Sequence, residues 1–422
     1  MTLIRILYTL ALLLAAPFLL FSLLKRKPNK PVIGSRWKEL FGYGPVLNCR
    51  SQEVIWIHAV SVGETIAVTP FIKALKQQNP DLTVVLTTTT ATGAKQAESL
   101  KDLVTHRYMP IDFCFTVSNF VNRINPSKLI IVETEIWPNT IEIVSRSKTP
   151  IYILNARLSE KSFKNYQKVQ KLFITMAGKL TKVLCIHQDD AKRFSLLGVE
   201  ENKIHITGSI KFDIKTSDSA IKSGQALRRT FGTKRPIWVA ASTHSGEDEK
   251  ILKVHKKILE KKPEALLILI PRHPERFNLV KKLARREFST NSRTSKIQSN
   301  SNIEVYIADT MGEMITILSS SDICFMGGSF LGSKVGGHNL LEPAALGIPT
   351  LIGPSYFNFK DITKQLSDVG ATEVIHTEEE LTDALLNLFN NPKELKEKGI
   401  AAYAIVEKNT GAINKSLCHI LG

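Results

Sequence analysis

Apolar residues in this chain fall into short unbroken runs rather than alternating ones. Val54–His58, Leu82–Leu86, Leu129–Val132, Pro150–Leu154 and Val183–Ile186 are five such runs in the first half. Each reads as a strand buried on both faces, as in a parallel sheet covered by helices. Helical spacing occupies Thr65–Gln78 and Asp189–Leu197. A polar, charge-rich segment, Gly208–Arg235, then interrupts the pattern, which restarts at Ile237–Ala241. Leu266–Ile270, Ile303–Ile307, Ile323–Met326, Pro349–Ile352 and Thr372–Ile375 follow as strands, with helices at Glu247–Lys261, Glu378–Gly399 and Ala401–Leu417. Arg285–Asn302, rich in Ser and Asn, reads as a surface loop. The chain has 422 residues, too many for one ordinary core. The pattern predicts an α/β protein of two parallel-sheet domains, 28–207 and 236–400. A linker at 208–235 joins them, and a C-terminal helix, 401–422, is expected to pack back on the first.

Ahead of this pattern lies a different one. Ile6–Leu24 is almost unbroken apolar sequence, followed at once by Lys25, Arg26, Lys27 and Lys30. As a helix it would measure about 28 Å, long enough to span or enter a bilayer. The basic cluster lies on the wrong side for a cleaved signal peptide and no small-residue cleavage site follows. Residues 1–27 are therefore expected to be a membrane anchor with a basic flank, placing the rest of the chain on the cytoplasmic side. Pro17 leaves a tilted or monotopic insertion open.

The formal net charge is +17, which favours an anionic partner. No zinc-finger spacing or nucleic-acid recognition motif accompanies it, so an anionic membrane surface is the expected partner rather than nucleic acid. No obligate protein partner is evident. The five cysteines are scattered singly, against a disulfide framework.

Ligands of open α/β sheets lie beyond the carboxyl ends of the strands, and the unusual polar clusters of this chain fall there. Ser61, Gly63 and Glu64 follow the first strand. A carboxylate at a helix start is ready to accept a proton; Ser61-x-x-Glu64 also fits a capping box. Glu133 and Glu135 bracket Thr134 before Trp137-Pro138, where they could share a proton or bind a polyhydroxy ligand, or simply be a solvated strand end. Asn155 and Arg157 leave the next strand; Arg157 could hold a carboxylate or phosphate, or make a surface ion pair. In the second half Ser242, Thr243 and His244 open a helix start suited to an anion. Arg272 and His273 could hold a phosphate or sugar carboxylate. Gly328, Ser329, Gly336 and Gly337 allow backbone to approach phosphate, and His338, Asn339 and Glu342 follow, the last suited to a ribose diol. Capping and packing glycines are the alternative. No metal site stands out, a P-loop and a nucleophile elbow are missing, and no cofactor is called for.

In their order and wording these motifs resemble the 3-deoxy-D-manno-octulosonic acid (Kdo) transferases of Gram-negative lipopolysaccharide synthesis. The resemblance is carried by His58-Ala-Val-Ser-Val-Gly-Glu64, Glu133-Thr-Glu-Ile-Trp-Pro-Asn139, Asn155-Ala-Arg-Leu-Ser159, Gly208-Ser-Ile-Lys-Phe-Asp213, Pro271-Arg-His-Pro-Glu-Arg-Phe277, Gly327-Gly-Ser-Phe330, and Gly336-Gly-His-Asn-Leu-Leu-Glu-Pro-Ala-Ala345. It implies a GT-B glycosyltransferase, two Rossmann-like domains facing across a cleft, anchored in the inner membrane. It implies an inverting, metal-independent transfer of Kdo from CMP-Kdo to the lipid A precursor. Glu64 would be the base and Glu133 a second catalytic acid, with Ser61, Gly63, Glu135, Asn155 and Arg157 toward the acceptor. Lys211, the Ser242–His244 turn, Arg272, His273 and the glycine segments would hold the donor, with Glu342 on the ribose. Another GT-B glycolipid transferase, a sugar-nucleotide epimerase, and a non-enzymatic membrane-bound polyanion or glycolipid binder are the alternatives.

Overall fold

The computed structural model describes residues 3–24, 33–47, 53–214, 216–295 and 302–422. The chain forms two compact units: Met1–Asp213 with Asn409–Gly422, and Ile214–Lys408. In the first, seven strands follow in chain order: β1 (Val54–His58), β2 (Thr83–Thr88), β3 (Thr105–Tyr108), β4 (Lys128–Val132), β5 (Ile151–Ala156), β6 (Lys182–Cys185) and β7 (Ile204–Ile206). They make one parallel sheet in the order β3-β2-β1-β4-β5-β6-β7. Successive side chains of a strand point to opposite faces, and both faces here are covered. Val54 and Trp56 enter one core cluster with Val117, Phe120 and Phe173. Ile55 and Ile57 enter the other with Phe71, Ile72 and Leu417. Double burial is why these strands read as runs.

The second unit repeats the plan with β8 (Ile237–Thr243), β9 (Leu266–Pro271), β10 (Thr290–Ser292), β11 (Val305–Ile307), β12 (Ile323–Met326), β13 (Thr350–Ile352) and β14 (Thr372–Val374). Their order is β10-β11-β9-β8-β12-β13-β14, again all parallel. Three strands depart from the sequence reading. β3 (Thr-His-Arg-Tyr), β7 (Ile-His-Ile) and β10 (Thr-Asn-Ser) carry no apolar run, and all three are sheet edges. β10 lies inside the segment read as a loop. The helix expected at Glu378–Gly399 breaks at Pro392 into Glu378–Asn390 and Pro392–Asn409. A last helix, Ala412–Leu421, starts after Gly411 at φ 98°.

The expected membrane anchor is corrected. Leu3–Leu24 is a helix, yet among the described residues no helix is long and apolar enough to cross a membrane. Its polar side chains are committed to the first unit instead. Arg5 is 5% exposed and pairs with Glu142 at 2.6 Å. The Tyr8 hydroxyl donates to Asp112 at 3.0 Å, and the Asn139 amide donates to the Thr9 hydroxyl at 3.2 Å. An apolar run is not by itself a span when the arginine just ahead of it and a tyrosine within it have protein partners. The localisation derived from an anchor falls with it. The basic cluster Lys25–Lys30 and residues 296–301 of the Ser/Asn-rich segment lie outside the described residues.

Candidate functional site

Strand order reverses between β1 and β4 in the first unit and between β8 and β12 in the second. These switch points open a crevice at the carboxyl ends of the strands. Glu64 follows β1 and Glu133 follows β4; Ser242 and Thr243 end β8 and Gly327–Phe330 follows β12. Four of the motifs singled out in the sequence thus lie where topology makes room for a ligand, while Asn155 and Arg157 stand at the end of β5 and Arg272 and His273 follow β9.

At the first switch point Ser61 caps the helix Val62–Gln78. One Glu64 carboxylate oxygen accepts the Val60 N–H at 2.8 Å and the other accepts the Ser61 hydroxyl at 2.9 Å. Capping box and candidate base are therefore one residue. Glu64 is 9% exposed. Burial pushes its carboxyl up to about 7 against these two bonds, with a further push from the charges of Glu133 and Glu135. Glu135 is also raised, by burial and then by Glu133. The three carboxylates form one electrostatic group. Gly63 is exposed, and a Cβ there would meet nothing closer than the Ser61 hydroxyl at 3.8 Å.

Glu133 has φ 62° and Asn155 has φ 56°, backbone that non-glycine residues seldom adopt. Asn155 sits in the register shift between β5 and β6. Its side chain is fully buried and its amide oxygen accepts the Ile210 N–H at 3.1 Å, which positions the 210–212 turn, while its Nδ2 has no partner among the described residues. That turn carries Lys211, whose ammonium bonds Glu133 at 3.1 Å. Lys211 was expected with the donor residues of the second half; the structure places it in the first unit beside the acid group. Arg157 is exposed, and its carbonyl accepts the Thr134 hydroxyl. His58, ending β1, is buried against Thr87, which leaves its imidazole lowered to about 4 by desolvation.

At the second switch point Ser242 has φ 59° within the register shift between β8 and β9. A Cβ on Gly327 would lie 2.9 Å from the Ser242 carbonyl oxygen, so only glycine fits across from that bulge. Thr243 is buried; its hydroxyl donates to Asp248 at 2.7 Å and its carbonyl accepts the Arg272 N–H at 3.0 Å. Arg276 bonds both the Thr243 carbonyl and Asp248. The Arg272 and His273 side chains are exposed beside this knot. His244 and His338 meet ring to ring, Nε2 to Nε2 at 2.8 Å. Glu342 is held above the usual carboxylate range by burial, opposed by the charge of Arg272. The Asn339 side chain accepts the Leu341 N–H. A Cβ on Gly336 would strike the Phe357 ring at 2.5 Å, and Gly337 has φ 72° over the Ser355 carbonyl.

The glycine turn differs from expectation. Gly328, Ser329 and Phe330 point their N–H groups at one carboxylate, that of Glu247, at 2.7, 2.9 and 2.9 Å. Glu247 also accepts the His244 N–H at 3.1 Å and has no exposed surface. The anion cradle at this turn is filled from within the protein. The Ser329 hydroxyl is likewise internal, donating to the Met326 carbonyl and accepting the Gly353 N–H. Gly328 and Ser329 are thus committed internally, whereas Arg272 is exposed and His338, Asn339 and Glu342 are partly so. Glu247 entered the sequence reading only as the first residue of the helix Glu247–Lys261. Its signal was a Gly-Glu step behind a strand, shared with Gly63-Glu64. Among the described residues no group of His, Cys, Asp or Glu is placed to hold a metal ion.

Comparison with known proteins adds the chemistry. Residues 35–214 match the family model described as 3-deoxy-D-manno-octulosonic-acid transferase (kdotransferase). The chain is 38% identical to the 3-deoxy-D-manno-octulosonic acid transferase of Haemophilus influenzae, over 98% of this chain and 97% of that protein. It is 31% identical to the enzyme of the same name from Bordetella pertussis, over 97% of each. Among solved structures, UDP-GlcNAc 2-epimerase from Neisseria meningitidis bound to UDP-GlcNAc aligns with 88% of this chain and all of that one, at TM-score 0.53 and 13% identity, a likeness of fold. Two Rossmann-like units with polar switch points define the class, and the relatives define the group within it: the chain belongs to the 3-deoxy-D-manno-octulosonic acid transferase family. It is a glycosyltransferase with CMP-Kdo:lipid A Kdo-transferase activity.

Proposed function

We propose that Glu64 is the general base of this transfer and that the second unit holds the CMP moiety of the donor. A sugar hydroxyl is a poor nucleophile, and a carboxylate poised near neutrality is the remedy. The observation that carries the reading is the Glu64 carboxyl pushed up to about 7 at the β1/β4 switch point. An acid with its usual pKa would be too weak a base to take the proton from an attacking hydroxyl. Glu133, oriented by Lys211, and Glu135 complete the acceptor side, with Ser61 holding Glu64 in place. On the donor side Arg272 faces the phosphate, with His273, the Gly336–Asn339 segment and Glu342 around the nucleotide. Basic groups there stabilise the leaving phosphate without a metal ion. Attack opposite the leaving group inverts the anomeric centre.

Incubation of the purified protein with CMP-Kdo and tetraacylated lipid A precursor, followed by mass spectrometry, reads donor, acceptor and the number of sugars added. Glu64→Gln should lower the transfer rate by about 10²–10⁴ while CMP binding stays intact. Transfer near the wild-type rate in that variant would remove Glu64 from the role of base.

A further inference from the structure

The two histidines of the second switch point are built as a pair. Their Nε2 atoms lie 2.8 Å apart and their ring planes are parallel within 3°, centroids 5.0 Å apart. One oxygen of Glu247 accepts both the His244 N–H and the Gly328 N–H, clamping together the turns that bound the pair. Gly328 has no side chain where His338 lies; a Cβ there would come within 2.9 Å of that ring. The protein thus spends a buried carboxylate and a glycine on bringing two imidazoles into line.

That geometry fixes the proton count. In a neutral pair one ring donates through Nε2–H and the other accepts at a bare Nε2. One further proton can enter at the free Nδ1 of the donating ring. The product is an imidazolium donating to an imidazole, the same contact made shorter and stronger by charge. A second proton would set two N–H groups against each other and break the contact. We propose that the His244–His338 pair takes up one proton, and only one, when an anionic phosphodiester settles at this switch point, so that donor binding is linked to proton uptake. The inference rests on reading the second unit as the donor site.

The surroundings supply the driving force. His244 faces His273, Arg272, Arg276 and Asp248, and His338 faces Arg272 and His273. His273 meets the His244 ring edge-on at 5.4 Å. Burial, then these cations, hold His244 down to about 4 and His338 down to about 3, so the empty pair is neutral near neutrality. An incoming phosphate offsets the cations and favours the charged pair. Because the two rings titrate together, the uptake belongs to the pair rather than to either histidine.

The test is calorimetric titration of the full chain with cytidine 5′-(methyl phosphate), a diester that does not itself titrate near neutrality. Buffers of different ionisation enthalpy give the protons exchanged. Near pH 6 the wild type should take up about one proton per ligand, and affinity should weaken about tenfold per pH unit as pH rises through that window. His244→Gln and His338→Gln should each abolish uptake and flatten the pH dependence, whereas His273→Gln should keep both. Wild-type binding with no uptake, or with two protons, overturns the pair as described, whatever the variants do. Uptake that survives both pair variants and vanishes with His273→Gln moves the proton elsewhere and overturns it too. Absence of diester binding would overturn the donor assignment and this inference with it.

Discussion

Glu64 ties stability to activity through one proton. Its folded carboxyl titrates at about 7, against 4.5 for an unburied one. Between those values the folded state binds more protons than the unfolded state, so stability falls as pH rises across the window. Glu64→Gln cannot ionise and escapes that loss. The melting temperature of the wild type relative to Glu64→Gln should therefore decline from about pH 5 to about pH 8. The rate of transfer runs the other way: it should climb about tenfold per pH unit below about 7 and level off above, as the base loses its proton. A flat rate profile through neutrality would contradict the assignment. Lys211 separates geometry from stability. Its bond to Glu133 is partly exposed on both sides, 36% and 29%, so Lys211→Met should cost less than about 1 kcal/mol of stability. It should still slow transfer several-fold, by releasing the Glu133 carboxylate, and parallel thermal melts and rate assays would show the split.

At the scale of elements, each unit uses a Gly-Glu step behind its first strand, with different results. Glu64 turns back on its own helix and accepts one backbone N–H and one hydroxyl. Glu247 reaches across the switch point and accepts four backbone N–H groups from two turns. Glu247→Ala leaves those donors buried without a partner. At about 1–3 kcal/mol for each unsatisfied group, partly offset by entering water, the loss should be at least about 3 kcal/mol and appear in chemical denaturation. Glu64→Ala should cost nearer the about 1 kcal/mol of a lost cap. This contrast also marks how far the sequence could be read. Doubly buried strands such as β1, β8, β9 and β12 announce themselves by composition, and their carboxyl ends pointed to the polar residues worth examining. Edge strands β3, β7 and β10 have no apolar run to announce them. The partner of a polar residue is set by tertiary approach: Glu247 finds Gly328 across 81 positions and Lys211 finds Glu133 across 78. No local spacing records either meeting, and the partners of Arg5 and Tyr8 at the N-terminal apolar run went unread for the same reason.

For the whole molecule, the first unit is closed by both ends of its excursion. The chain leaves it after Asp213 and returns at Asn409. Asp213 marks both crossings, because its carboxylate accepts the N–H groups of Gly411 and Ile413. Those donors open the helix Ala412–Leu421, which sends Ala412, Ile413, Leu417 and Ile420 into the core cluster of Ile55, Ile57 and Leu184. Fully burying each of the three larger side chains is worth about 1.5–3 kcal/mol, far more than the two hydrogen bonds. The carboxylate therefore sets where the returning chain docks rather than supplying most of the energy that holds it. Asp213→Ala should then weaken the first unit by about 1.5–3 kcal/mol, the range for bonds to a charged group. Hydrogen exchange should show the loss first in residues 411–421 and in Ile210. Removal of 409–422 should do more, exposing the apolar face that the helix covers and leaving the first unit unfolded or aggregated. The sheet of the second unit should keep its exchange protection in both variants, since β8–β14 lie wholly within Ile214–Lys408. If Asp213→Ala left protection at 411–421 unchanged, packing alone would position the returning helix and the carboxylate would have no part in it.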